Sequence, residues 1–122
     1  MSSVIDASAL LAFLQGEAGA DVVEARFVED PRCAAVNWSE VAQKVRASGA
    51  DWSLARALLD SYGVRVETST EADAEWAAAR WRRGEGLSLA DRFCLALAAR
   101  FEAPAWTADS AWGDDTPVRQ IR

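Results

Sequence analysis

Histidine is absent from all 122 residues. That removes imidazole acid–base chemistry, Ser-His-Asp and Cys-His nucleophiles, and zinc sites built on histidine. Cysteine occurs only at Cys33 and Cys94, far apart and inside apolar segments. Buried reduced thiols are therefore expected rather than a disulfide, and two cysteines alone are too few for structural zinc. Lys44 is the sole lysine. No apolar run approaches the roughly 20 residues of a membrane helix. No basic stretch precedes an apolar one at the N-terminus, so neither a membrane span nor a secretory signal is expected, and the cytosol is the expected compartment. Repeats, linkers and low-complexity tracts are missing too. With 51% hydrophobic and 26% charged residues in 13.2 kDa, the chain is expected to fold as one domain over residues 1–122.

An excess of positive charge is also missing: 13 Lys and Arg stand against 19 Asp and Glu, for a net −6. Nucleic-acid binders usually show a basic surface. Setting aside four particular acids, described next, leaves 15 acids against 13 bases, a net of only −2. Arg80, Arg82, Arg83 and Arg92 fall in one short stretch. Their guanidinium forks suit phosphate oxygens, although Arg on a helix also pairs with acids such as Glu71, Glu75 or Glu85. Lys44, four residues after Glu40, has the spacing of a helical ion pair.

The chain alternates short β-type runs with helical patterns, which predicts an α/β fold with a mainly parallel sheet of about five short strands between helical layers. Strands are expected at Ser3–Asp6, Arg32–Val36, Val64–Val66, Ala105–Thr107 and Val118–Ile121, the last two introduced by Pro104 and Pro117. Helices are expected from Ala7 to Leu14, Asp21 to Val28, after Asn37 as N-cap, after Asp51, from Glu71 to Arg82, and after Ser88. Apolar spacing turns Trp38, Val41 and Val45 inward on the third helix and Ala72, Trp76 and Ala79 inward on the fifth. Trp38, Trp52, Trp76 and Trp106 are thus expected in packing rather than in base stacking.

Four acids stand beside these elements. Asp6 follows the first strand, Glu40 lies just beyond the second, Asp91 opens a helix after Ser88, and Asp109 follows Ala105-Trp106-Thr107. Each has a local explanation. Asn37-x-x-Glu40 and Ser88-x-x-Asp91 match capping boxes, and Asp commonly opens a turn after a strand. In a parallel sheet, however, strand ends and the following helix starts share one rim, so the four converge. Packed carboxylates repel one another unless a cation lies between them, and oxygen-only donors suit magnesium or manganese.

The set Val4-Ile5-Asp6-Ala7-Ser8, Asn37-Trp38-Ser39-Glu40-Val41, Leu87-Ser88-Leu89-Ala90-Asp91 with Leu95-Ala96-Leu97-Ala98, and Thr107-Ala108-Asp109-x-x-Trp112 resembles the PIN domain, and more narrowly the VapC-type toxin ribonucleases. The resemblance spans nearly the whole chain. It implies a three-layer α/β/α endoribonuclease dependent on magnesium or manganese, the ion held by Asp6, Glu40, Asp91 and Asp109 and the site supported by the Thr107 hydroxyl. It also implies water activated by the metal as the attacking group, a 5′-phosphate product, a homodimer, and a cognate antitoxin. Trp112 matches an aromatic common in that family, while Asp114 and Asp115 stay outside the core site. Two other readings compete: a magnesium-dependent phosphohydrolase with Asp6 as nucleophile, which usually wants an acid where Ser8 stands, and a non-catalytic PIN-like module that binds RNA or protein.

Overall fold

Val4 and Ile5, adjacent on strand β1 (Ser3–Ile5), are both fully buried and belong to different apolar clusters. Side chains alternate across a strand, so a strand buried on both faces must lie in the middle of the sheet. The computed structural model, which describes residues 1–122, places it there. The order is β3-β2-β1-β4-β5 and every pairing is parallel. The partners are β2 (Pro31–Ala34), β3 (Arg65–Glu67), β4 (Ala105–Thr107) and β5 (Val118–Gln120). The register sets Val4 opposite Arg32 on one side and Ala105 on the other. The expected three-layer α/β/α sandwich around five short parallel strands is the observed architecture.

Helices α1 (Ala7–Gln15), α2 (Ala20–Arg26), α3 (Ala35–Ala47) and α4 (Trp52–Ser61) pack around Ile5, Cys33 and Ile121 on one face. On the other, α6 (Leu89–Phe101) covers Val4, Ala34, Ala105 and Val118 with Cys94, Leu95, Leu97 and Ala98, and α5 (Glu71–Ala79) packs on α6. Ser88 and Asp91 form a capping box at the start of α6, and Thr70 and Asp73 form another at α5. No helix is long and apolar enough to cross a membrane. Both cysteines are free and buried.

Three local expectations are corrected. The second strand stops at Ala34, and Ala35 and Val36 already belong to α3, whose N-cap is Ala34 without a side-chain bond. Asn37 therefore lies inside the helix and forms no cap. Pro31 does not merely end a helix; it is the first residue of β2, an entrance position like those after Pro104 and Pro117. The inward face of α5 is Asp73 and Ala77, not Ala72, Trp76 and Ala79, and Trp76 stands 37% exposed. The capping box fixes that phase: Asp73 turns back to the Thr70 N–H and also meets Arg100 of α6 at 3.5 Å, which rotates the indole outward.

Candidate active site

Parallel strands deliver their carboxyl ends to one rim, and the helices that follow begin there. Asp6 is the residue between β1 and α1 and serves as the N-cap of α1, accepting from the Ala9 N–H at 2.9 Å. Asp91 is the third residue of α6, and its Oδ2 accepts from the Ser88 N–H at 2.9 Å. Asp109 follows β4 and caps a 3-10 turn (Ser110–Trp112), accepting from the Ala111 N–H at 2.9 Å. Glu40 lies in the second turn of α3, where the Asn37 amide donates to its Oε1 at 3.0 Å. The local and the convergent readings hold together. Capping aims each backbone start at the rim, and Glu40, Asp91 and Asp109 each spend one oxygen locally and keep the other.

All four acids line one cavity of about 110 Å³, together with Ala7, Ser8, Asn37 and Lys44. They share the cavity without meeting at a point, and no three His, Cys, Asp or Glu side chains form a ready-made ligand cluster. The cause is visible in the bonding, since each carboxylate is turned toward its own local donor. Asp6 is the most constrained. It is 4% exposed, and besides Ala9 it accepts from the Ser8 hydroxyl at 2.8 Å and the Thr107 hydroxyl at 2.6 Å. Thr107 in turn accepts from the Asp109 N–H at 3.0 Å, and Ser8 accepts from the Ala108 N–H at 2.9 Å, which stitches β4 to the start of α1.

Burial pushes the Asp6 carboxyl up from the ordinary 3.8 to about 6, against the lowering effect of the Thr107, Ala9 and Ser8 bonds, and the charge of Asp91 raises it further. Burial also pushes both thiols up, Cys33 and Cys94 alike, with the Asp6 charge adding to it, so neither is a nucleophile. The chemistry of the cavity is thus carboxylate, amide and hydroxyl oxygen. One further observation fits a hard cation: the Asn37 carbonyl oxygen is buried without a hydrogen-bond partner, while its amide ties Glu40 to the Ala90 carbonyl of α6. A buried oxygen acceptor without a donor, in a residue that lines a cavity with four carboxylates, is a group that positive charge would satisfy.

Ser8 and Asn37 were not assigned site roles from sequence. Ser8 was findable from Asp6-x-Ser8 at a helix start, a spacing that favours local side-chain bonds; Asn37 was hidden behind its supposed capping. The Lys44 ion pair with Glu40 is not formed. Lys44 enters none of the molecule's salt bridges and stands exposed at the cavity. Of the four arginines, Arg80 is held by Glu85 through bonds of 2.6 and 3.0 Å, and Arg92 donates to the Ala77 carbonyl at 2.7 Å. Arg82 and Arg83 are exposed.

The PIN domain family model matches residues 3–114. The chain belongs to the PIN-domain family. Within that family it is similar to proteins named VapC ribonuclease Mb2780c, of Mycobacterium bovis, and Ribonuclease VapC42, of Mycobacterium tuberculosis. Each is 36% identical over 106 residues, covering 78% of this chain and 81% of the relative. Among solved structures, a chain of a toxin–antitoxin complex from Klebsiella pneumoniae shares the PIN fold with a TM-score of 0.80 over 98% of both chains, at 18% identity.

Proposed function

We propose that this PIN domain is a divalent-metal-dependent endoribonuclease, the toxin of a toxin–antitoxin pair, which holds magnesium or manganese with Asp6, Glu40, Asp91 and Asp109. The observation that carries the proposal is the single rim cavity onto which these four carboxylates open, with the bare Asn37 oxygen beside them, in a chain similar to named VapC ribonucleases. When bound, a divalent cation supplies an acidified water and positive charge at the scissile phosphate. The protein supplies position. Ser8 and Thr107 fix the Asp6 carboxylate and keep it from turning away. Lys44 presents an unpaired charge where the RNA backbone approaches, and Arg82 and Arg83 extend the path, with Arg80 and Arg92 bracing it through Glu85 and α5. An antitoxin as protein partner and a homodimer as the working form belong to the same reading. A phosphohydrolase using Asp6 as nucleophile is disfavoured, because the position two residues on, where that chemistry usually wants an acid, holds Ser8, whose hydroxyl donates to Asp6 at 2.8 Å.

The test is RNA cleavage by purified protein with manganese, with magnesium and with EDTA. Cutting is expected only with metal, leaving a 5′-phosphate, and is expected to vanish in Asp6→Asn and Asp91→Asn proteins that retain native circular dichroism. Cutting in EDTA, or at the wild-type rate in Asp6→Asn, would overturn the proposal.

A further inference from the structure

Next to the acid cavity is a larger cleft of about 480 Å³, walled by α5 and its C-cap, by α6, and by the loop entering β5. Two elements join the spaces. On α6, Asp91 lines the cavity and Leu95 the cleft, one helical turn or about 6 Å along the axis. At the 3-10 turn, the capping Asp109 lines the first and Trp112 the second. A polynucleotide held at the acids therefore has this cleft as its immediate neighbour.

The charges lining the cleft cancel. Arg80 is closed onto Glu85 by two bonds, and Arg82 and Asp115 add one charge of each sign. A seat for phosphate would show an excess of cations. What the cleft has in excess is indole: Trp76 stands 37% exposed because α5 turns Asp73 and Ala77 inward, and Trp112 is buried with its ring N–H unpartnered. An uncharged group with flat apolar faces and a hydrogen-bonding edge matches this lining, which is the description of an unpaired nucleobase. We propose that the cleft is a subsite for one unpaired base of the RNA flanking the scissile bond, stacked on Trp76 and bonded at its edge by Asp115. The assignment rests on the nuclease reading and adds what that reading leaves open, namely where the enzyme grips a base rather than the backbone.

The experiment follows the indole N–H resonances of the six tryptophans, assigned with Trp→Phe variants, in protein kept in EDTA so that no strand is cut. The probes are the four homotrinucleotides of RNA and the same sugar–phosphate backbone without bases. Saturable shifts of Trp76 and Trp112 with at least one base-bearing strand, absent with the bare backbone, are expected. Trp76→Ala is expected to raise the Kd about tenfold, the scale of one lost stacking contact. Asp115→Asn, at an exposed loop position, is expected to weaken binding while leaving the fold intact, so the subsite stays testable should Trp76→Ala fail to fold. Equal shifts from the bare backbone would identify a phosphate site and overturn the subsite, as would millimolar strands that move neither indole. Manganese-dependent cleavage reports separately: shifts without cleavage retain the subsite and discard the nuclease, and cleavage without shifts does the reverse.

Discussion

Asp6 is charged at neutral pH against the preference of its surroundings. Its folded value of about 6 lies above the ordinary 3.8, so the native state binds the proton more tightly than the unfolded chain does. The sign follows: this carboxyl favours folding below about pH 4, and that advantage is lost as pH rises through 6. The difference corresponds to on the order of 3 kcal/mol. In EDTA, chemical denaturation is expected to show stability falling between pH 4 and 6, and Asp6→Asn is expected to flatten that slope and to be more stable than wild type at pH 7. A wild-type profile flat across that window would contradict the burial argument. With manganese at one hundred times its Kd, wild type at pH 7 is expected to gain about 2.7 kcal/mol by mass action, and Asp6→Asn much less. The shared rim of the four acids was legible because each follows a strand or a cap signal in the sequence. The bond of Ser8 to Asp6 is legible in the same way, but the tie of Ser8 to the Ala108 N–H, 100 residues away, and that of Asn37 to the Ala90 carbonyl, 53 residues away, are not.

At the scale of elements, helix starts do the positioning. The α6 capping box uses Ser88 Oγ to accept from the Asp91 N–H at 3.0 Å while Asp91 Oδ2 returns the bond, so the same two residues end a loop and aim an acid. Ser88→Ala is expected to cost about 1 kcal/mol of stability and to weaken manganese binding several-fold, read by thermal denaturation and by titration calorimetry. Loss of stability with unchanged metal affinity would leave the box a cap and nothing more. This box was readable from Ser88-x-x-Asp91 alone. Asn37-x-x-Glu40 has the same form yet caps nothing, since the helix has already begun at Ala35. A short apolar run does not distinguish the last residues of a strand from the first of a helix, and here the sheet, three or four residues wide, decided the matter. The phase of α5 was missed for a related reason. Its inward face is set by a polar residue, Asp73, which hydrophobic spacing does not count.

For the whole molecule, a net charge of −6 has to coexist with the proposed RNA substrate. The alternation of strands and helices announced the parallel sheet, but the free cations of the surface were hidden, because ion pairing is decided by tertiary neighbours. Arg32 is spent on Asp30 and Glu67, Arg80 on Glu85, and Arg100 on Asp73. The cations left for a strand are Lys44 at the acid cavity, Arg82 at the adjoining cleft and the exposed Arg83 that follows it in the chain, of which only Arg82 has an acid partner, Glu85 at a loose 3.9 Å. Three phosphate contacts on a single strand predict a log–log salt slope of about −2, shallow for a nuclease. Binding of a short single-stranded RNA to the Asp6→Asn protein, measured by fluorescence anisotropy between low and physiological salt, is expected to give that slope. Lys44→Ala is expected to reduce its magnitude by about 0.7, the share of one contact, with native circular dichroism unchanged because the Lys44 side chain is exposed and enters no salt bridge. A slope steeper than about −4 would mean that RNA crosses another basic surface, and an unchanged slope in Lys44→Ala would remove this lysine from the path of the strand.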